Sequence, residues 1–172
     1  MSGLEVGTGS GYAAAVIAKI AQHVYTIERY SQLAVKAAAT LATEGFDNVH
    51  VRHGDGTLGW PEHAPFDAIV VAAGGPTVPE SLKHQLRIGG RMVIPVGSRD
   101  RRTQELLRIT RVAEEDFQTE ELLDVRFVPL VGEEGWTPDR PDDQPVQLAP
   151  ARPAPLDDAR LASSIALNCE AF

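Results

Sequence analysis

The chain has 172 residues, of which 43% are hydrophobic, 23% charged and 6% aromatic. That balance is typical of a folded protein, and the length accommodates one domain with an appendage. Lys and Arg number 16 against 24 Asp and Glu, a net charge of -8 that disfavours binding to a nucleic-acid backbone. The sequence contains no signal-peptide pattern and no apolar run of about 20 residues, the length of a membrane span. Because the single cysteine, Cys169, cannot form an intramolecular disulfide, we expect a cytoplasmic protein without nucleic-acid or membrane partners.

The first half of the chain alternates between short apolar segments and longer alanine-rich ones. Apolar segments bounded by turn signals are typical of strands, and the alanine-rich segments are typical of helices that cover a sheet. The apolar run over 66–73, nearly continuous except for Asp67, indicates a parallel strand in the middle of the sheet, covered on both faces. The predicted elements are strands over 4–6, 24–28, 49–52 and 66–73, and helices over 12–23 and 31–44.

The second half begins with the same pattern and then changes. Pro79 suits the first turn of a helix, where its missing N–H costs nothing, and a glycine pair at 89–90 ends this helix. The predicted elements are a helix over 79–86, a strand over 91–96, and strands over 105–112 and 117–131 that form an antiparallel hairpin at a sheet edge. The sequence therefore predicts a Rossmann-like, doubly wound α/β fold with a mostly parallel sheet and an antiparallel C-terminal hairpin.

Composition divides the chain into three parts. Residues 1–136 form the predicted core domain. Residues 137–155 contain six of the twelve prolines and are predicted to be an extended linker. Residues 156–172 are predicted to form a short helix with Leu161 and Ile165 on one face, as the start of a further domain. Arg99, Arg101 and Arg102 are interpreted as part of a solvated loop.

The turn after the first strand carries the clearest chemical signal. Gly7, Gly9 and Gly11, with Thr8 between the first two, allow close approach of a nucleotide-type ligand to the backbone. Glu28 ends the next strand, where a carboxylate can accept hydrogen bonds from both ribose hydroxyls. The Gly-x-Gly-x-Gly spacing, with Glu5 before it, favours S-adenosylmethionine over NAD, whose fingerprint is Gly-x-Gly-x-x-Gly. The alternative is a glycine-rich turn that only lets a strand meet a helix.

A second turn follows the third strand. Asp55 and Gly56 are placed there to meet the amino edge of an adenine, which strengthens the interpretation as a cofactor site. His50 and His53 flank this turn, but residues three apart on a strand face opposite sides and no further ligand joins them. We therefore predict no metal site.

Several motifs together resemble one known family. They are LEVGTGSGY at 4–12, VYTIER at 24–29, GDG at 54–56, FDAIVV at 66–71, GGRMVIPVG at 89–97 and RFVPL at 126–130. In this order they resemble the protein-L-isoaspartate O-methyltransferases. The first motif is common to class I methyltransferases, whereas GDG combined with VPL is much narrower.

The resemblance implies a methyl donor, an acceptor and a set of site residues. S-adenosylmethionine would donate a methyl group to the carboxylate of L-isoaspartyl residues in damaged proteins. The implied cofactor residues are Glu5, Gly7, Thr8, Gly9, Gly11, Glu28, Asp55 and Gly56, and the implied peptide residues are Val128 and Pro129. The family's segment before the first strand, with its Gln-Thr/Ser-Ile-Ser-Gln-Pro-like motif, has no counterpart here, so no catalytic residue is assigned. The first strand is expected to be only about three residues long, with both the sheet and the acceptor site impaired.

Two rival functions remain at this point. A fragment that binds the cofactor but is catalytically impaired would keep the glycine turn and lack half of the acceptor site. A nicotinamide-dependent oxidoreductase would share the fold, but its glycine spacing differs. On the first interpretation, the chain alone would methylate isoaspartyl peptides orders of magnitude more slowly than a full-length relative, because alignment contributes roughly 7 to 11 kcal/mol to such reactions.

Overall fold

The computed structural model describes residues 1–97 and 104–138. These residues form one seven-stranded sheet and three helices. The strands are β1 (Ser2–Val6), β2 (His23–Glu28), β3 (Val49–His53), β4 (Phe66–Val71), β5 (Leu86–Gly97), β6 (Gln104–Arg111) and β7 (Phe117–Val125). The helices are α1 (Tyr12–Ala18), α2 (Ser31–Thr43) and α3 (Glu80–His84), and two single-turn 3-10 helices lie between β3 and β4.

The strand order is β3-β2-β1-β4-β5-β6-β7. β1 to β5 are parallel, and β6 and β7 each run antiparallel to the preceding strand. This arrangement confirms the predicted fold class, the central position of β4 and the hairpin at the edge. The chain first builds outward from β1 to β3 and then crosses to β4 on the other side of β1. Parallel sheets bind ligands at the carboxyl ends of strands where the winding reverses in this way.

Apolar side chains cover both faces of the sheet. Leu4, Ile27 and Phe66 belong to the larger core, which also includes Leu82 of α3. Because alternate residues of a strand face opposite sides, Val24 belongs instead to the smaller core under α1 and α2. The two cores hold the carboxyl ends of β1, β2 and β4 in fixed positions.

The first helix is shorter than predicted and covers the sheet with one face. α1 ends at Ala18 rather than at 23, because the Asn48 side-chain amide donates to the carbonyl oxygens of Ala18 and Ala21 at 3.0 and 3.1 Å and satisfies the end of the helix. Ala14 is fully buried in the core under the helix, as expected, whereas Tyr12 at its start is 77% exposed. The helix therefore covers the sheet with one face only.

β1 is longer than expected. Five residues, not three, pair with β2, and four of them also pair with β4. The Ser2 N–H donates to Asp67 Oδ2 at 2.6 Å, which ties the start of β1 to β4. The expectation of an impaired sheet is therefore wrong.

The glycine pair at 89–90 has a different role from the one predicted. α3 already ends at His84, and the pair lies inside β5, which starts at Leu86. Gly89 has φ +82°, and a Cβ on Gly90 would lie 2.9 to 3.2 Å from three carbonyl oxygens. The glycines therefore accommodate a register shift between β4 and β5 rather than the end of a helix.

The last strand stops earlier than predicted, and the chain then returns to the sheet. β7 ends at Val125, and the following residues 126–136, here named the arm, cross to the carboxyl edge of the parallel strands. The buried Gln104 side chain directs this departure, because its amide accepts from Phe127 N at 2.7 Å and donates to Phe127 O at 3.3 Å. Pro129 then forms a β-bridge with Gly74, which directly follows β4 and its two alanines.

Some predicted features fall outside the described residues. These are the loop with Arg99, Arg101 and Arg102, most of the predicted linker, and the predicted tail with Leu161, Ile165 and Cys169. Trp136, the last residue of the predicted core domain, forms a β-bridge with Val131.

Candidate functional site

A cavity of about 510 Å³ opens at the carboxyl edge of the parallel strands. The ends of β1 and β2 and the glycine-rich turn form one side. Ala72 and Ala73, which follow β4, form the base together with Gly56, and residues 128–131 of the arm form the opposite side. The cavity thus lies at the point where the winding of the sheet reverses, the usual ligand position in this architecture.

The glycine-rich turn keeps the main chain close to the strand ends. Gly7 has φ +99°, and its N–H donates to Ile27 O at 2.8 Å. A Cβ on Gly7 would lie 3.4 Å from the Cβ of Ala72, and one on Gly11, at φ +86°, would lie 3.2 Å from Leu41. Side chains would be strained at both positions. Gly7 and Gly9 line the cavity with bare backbone.

Glu28 places a carboxylate at the end of β2. Its side chain lines the cavity, although the residue is only 5% exposed. Oε2 accepts from Gly9 N at 2.8 Å, and Oε1 accepts from Tyr30 N at 2.9 Å. Each oxygen of an ionised carboxylate can accept a second hydrogen bond. The side chain is therefore fixed in place and still able to bind hydroxyl groups of a ligand.

Behind the glycine turn lies a buried chain of polar side chains. Glu5 and Thr26 are cross-strand neighbours on β1 and β2, and Thr26 Oγ1 donates to Glu5 Oε2 at 2.6 Å. Because Thr26 has a single hydroxyl hydrogen, the 2.6 Å contact with Thr8 requires Thr8 Oγ1 to donate to Thr26 Oγ1. Glu5 is 1% exposed and does not line the cavity.

Burial dominates the ionisation of Glu5. Desolvation raises the pKa of its carboxyl from 4.5 to about 7, against the opposing effect of the Thr26 hydrogen bond, and the nearby charge of Glu28 adds to the rise. The carboxyl group that lies behind the glycine-rich turn is therefore half protonated near neutral pH.

Asp55 lies beside the cavity, but its carboxylate is already bonded within the protein. Oδ1 accepts from the N and Oγ1 of Thr57 at 2.9 and 2.7 Å, and Oδ2 accepts from Glu133 N at 2.7 Å. Its neighbour Gly56 lines the cavity instead. A Cβ on Gly56 would overlap the Val6 side chain, which explains why a glycine occupies this position.

The arm is attached to the strand ends by backbone hydrogen bonds. Gly74 N donates to Val128 O at 2.7 Å, and Leu130 N donates to Gly74 O at 2.8 Å. The indole of Trp136 also donates to Gly74 O, at 3.0 Å. Val128 is 55% exposed, so its side chain is accessible to a binding partner.

The structure brings six of the ten predicted site residues to the cavity. These are Gly7, Gly9, Glu28, Gly56, Val128 and Pro129. Glu5, Thr8, Gly11 and Asp55 lie around it, in the surrounding layer, and do not line it.

Sequence reasoning missed Arg29, Tyr30 and Leu33, which also line the cavity. Arg29 and Tyr30 directly follow the carboxyl end of β2, and that position was a usable signal.

Two kinds of feature are absent from residues 1–97 and 104–138. No group of three or more His, Cys, Asp or Glu side chains is arranged to hold a metal ion. No helix in this part of the chain is long and apolar enough to cross a membrane.

The family profile described as Protein-L-isoaspartate(D-aspartate) O-methyltransferase matches residues 1–135. The chain belongs to this family. A protein-L-isoaspartate O-methyltransferase of Rhodopseudomonas palustris is 62% identical over 138 residues, which are 80% of this chain and 63% of the relative. Another, from Pelobacter propionicus, is 59% identical over 133 residues, which are 77% of this chain and 59% of the relative. The chain thus spans about three fifths of the length of these curated relatives.

Solved structures give the same family. A protein-L-isoaspartate O-methyltransferase is 31% identical with a TM-score of 0.73, and the match covers 78% of this chain and 43% of that one. A Plasmodium falciparum protein, described as a protein-L-isoaspartate O-methyltransferase in complex with S-adenosyl-L-homocysteine, is 27% identical with a TM-score of 0.64. That match covers 76% of this chain and 65% of the other.

Proposed function

We propose that this protein transfers a methyl group from S-adenosylmethionine to the free carboxylate of L-isoaspartyl residues in proteins and peptides. The observation that supports the proposal most directly is the Glu28 carboxylate, held by Gly9 N and Tyr30 N at the edge of a cavity lined by bare glycine backbone. Family membership and the S-adenosyl-L-homocysteine complex of the Plasmodium falciparum protein agree with this ligand.

The residues present fit the cofactor in size and in chemistry. The cavity of about 510 Å³ has a volume typical of small-molecule sites. Glu28 would accept hydrogen bonds from the ribose hydroxyls, Gly7 and Gly9 would allow close approach of the backbone, and Gly56 would face the adenine. Glu5, Thr8, Gly11 and Asp55 would support these groups from behind. When bound, S-adenosylmethionine supplies an electrophilic methyl group on a sulfonium centre.

The protein's task in this reaction is to position the acceptor. A carboxyl group in water has a pKa near 4, so the acceptor is ionised at neutral pH and needs no general base. Alignment of two reactants about 3 Å apart can contribute roughly 7 to 11 kcal/mol to lowering the barrier. The arm, with Val128 and Pro129, would bind the peptide backbone along the cavity, and the cavity would hold the methyl donor in line with it.

The two rival functions predict different results. An oxidoreductase would bind NAD in the same cavity, and a catalytically impaired fragment would bind the methyl donor without transferring its methyl group. A cytoplasmic location and isoaspartyl proteins as partners stay predictions, supported by the single cysteine and by family membership.

Transfer of labelled methyl from S-adenosylmethionine to an isoaspartyl peptide tests the proposal, with the normal aspartyl peptide as control. Because the relatives are longer, the assay is run on the chain alone and on the chain joined to the amino-terminal segment of the Rhodopseudomonas palustris relative. We expect label only on the isoaspartyl peptide. Equal labelling of both peptides would contradict the proposed isoaspartyl acceptor. If both protein forms bind S-adenosylmethionine without transferring its methyl group, the catalytically impaired fragment is favoured.

A further inference from the structure

Residues 132–135, here named the tip of the arm, are hydrogen-bonded to the turn that follows β3. The carboxylate of Asp55 accepts from Glu133 N at 2.7 Å, and Thr57 Oγ1 accepts from Glu134 N at 3.2 Å. Two consecutive N–H groups of the arm are thus bound by two side chains of one turn. We name the side chains of Asp55 and Thr57 the clasp.

Thr57 connects Asp55 to the arm. Its hydroxyl donates to Asp55 Oδ1 at 2.7 Å and accepts from Glu134 N, so one group uses both of its hydrogen-bonding functions. Thr57 has 0% exposure and does not line the cavity. Its hydroxyl can therefore act on a ligand only through the residues that it holds.

The arm residues at the clasp are suited to this close contact. A Cβ on Gly132 would overlap Asp55 Oδ1, and a Cβ on Gly135 would overlap Leu130 O. On the other side of the tip, the Glu134 carboxylate accepts from the N, at 3.0 Å, and the Oγ of Ser81. The tip is thus held between the turn after β3 and the start of α3.

The clasp connects two parts of the cavity lining. Gly56 lies between Asp55 and Thr57 and forms part of the base, whereas residues 128–131, which directly precede the tip of the arm, form one side. A ligand that fills the cavity touches both parts. Any change in the distance between them therefore alters the fit of the ligand, and ligand binding must in turn favour the clasped position.

We propose that Thr57 is a positioning residue that holds the arm against the cavity through Asp55 and Glu134 N, so that cofactor affinity depends on its hydroxyl group. The identity of the ligand used below rests on the proposed function. The competing explanation is that Thr57 only fills space, since its Cγ2 lies under Gly132 and Gly135.

Two substitutions separate the hydroxyl from the methyl group. Thr57→Val keeps the shape and removes the hydroxyl, whereas Thr57→Ser keeps the hydroxyl and removes the methyl group. Thr43→Val is the matched control, because Thr43 Oγ1 donates to Ala39 O on the exposed surface of α2, away from the cavity. We expect Thr57→Val to weaken S-adenosyl-L-homocysteine binding about tenfold, equivalent to about 1.4 kcal/mol, with Thr57→Ser and Thr43→Val close to the unmodified protein.

The position of the arm is measured separately through Trp136, one of two tryptophans in the chain. In a Trp60→Phe background the fluorescence comes from Trp136 alone, and its quenching by acrylamide reports how tightly the arm is held. We expect Thr57→Val to increase the quenching without ligand, and Thr57→Ser to leave it unchanged.

The outcomes distinguish this proposal from the proposed function. Unchanged affinity and quenching in Thr57→Val would overturn the positioning role, as would equal losses in Thr57→Val and Thr57→Ser, which would indicate packing alone. If the unmodified chain binds no S-adenosyl-L-homocysteine, the proposed function fails. The quenching result then still decides whether the Thr57 hydroxyl holds the arm.

Discussion

Replacement of Glu5 by Gln should make the protein more stable at alkaline pH and should flatten its stability profile. Burial at 1% exposure raises the pKa of this carboxyl to about 7, so the folded state favours the protonated form. In the unfolded chain the same group titrates at its ordinary value of 4.5. Gln keeps the shape and retains an oxygen that accepts from Thr26 Oγ1.

The sign and size of the effect follow from linkage. Between pH 4.5 and about 7 the unfolded chain loses this proton and the folded protein keeps it. The free energy of unfolding therefore falls by about 1.4 kcal/mol for each pH unit, or about 3 kcal/mol in total. The stability that protonated Glu5 contributes is complete below its pKa in the unfolded chain. It is lost as the pH rises through its pKa in the folded protein.

Urea unfolding of both proteins from about pH 5 to about pH 8 measures the difference directly, and other titrating groups cancel because they are common to both. Relative to the unmodified protein, we expect the free energy of unfolding of the Gln variant to rise by about 2 to 3 kcal/mol across this range. Parallel stability curves would refute the assignment of a buried, protonated Glu5.

Three further predictions concern the core, the clasp and the C-terminal region. Leu82→Ala should cost about 2 to 5 kcal/mol in urea unfolding, because this side chain of α3 is fully buried. Gly132→Ala should destabilise by about 1 to 3 kcal/mol and increase the quenching of Trp136, since the added Cβ overlaps Asp55 Oδ1; an unchanged midpoint and unchanged quenching would contradict the close contact. Removal of residues 138–172 should leave the unfolding midpoint unchanged, because six prolines there cannot donate backbone hydrogen bonds; a large decrease would place the domain boundary elsewhere.

Local patterns were sufficient to predict the sheet and the glycine-rich turn. The hydrophobic run of β4 and the alternation of strands and helices depend on neighbours in sequence, and these predictions are confirmed. Glu28 was found in the same way, because the end of a strand after a glycine-rich turn has a fixed position in this fold.

Long-range contacts explain the features that were not predicted. The end of α1 depends on Asn48, which is 30 residues from Ala18, and the start of the arm depends on contacts between Gln104 and Phe127. The clasp connects Asp55 to a backbone group 78 residues later. Nothing in the local sequence of Asp55 indicates that its carboxylate binds the arm.

Calorimetric titration with S-adenosyl-L-homocysteine is the most direct test of the central claim that the cavity binds the methyl donor. We expect the unmodified chain to bind it and not NAD. Glu28→Gln should weaken this binding by about 1.5 to 3 kcal/mol, the contribution of one hydrogen bond to a charged group. Glu44→Gln, at the exposed end of α2, serves as the matched control and should bind normally. Equal affinity of the unmodified chain and Glu28→Gln, or comparable binding of NAD, would contradict the account.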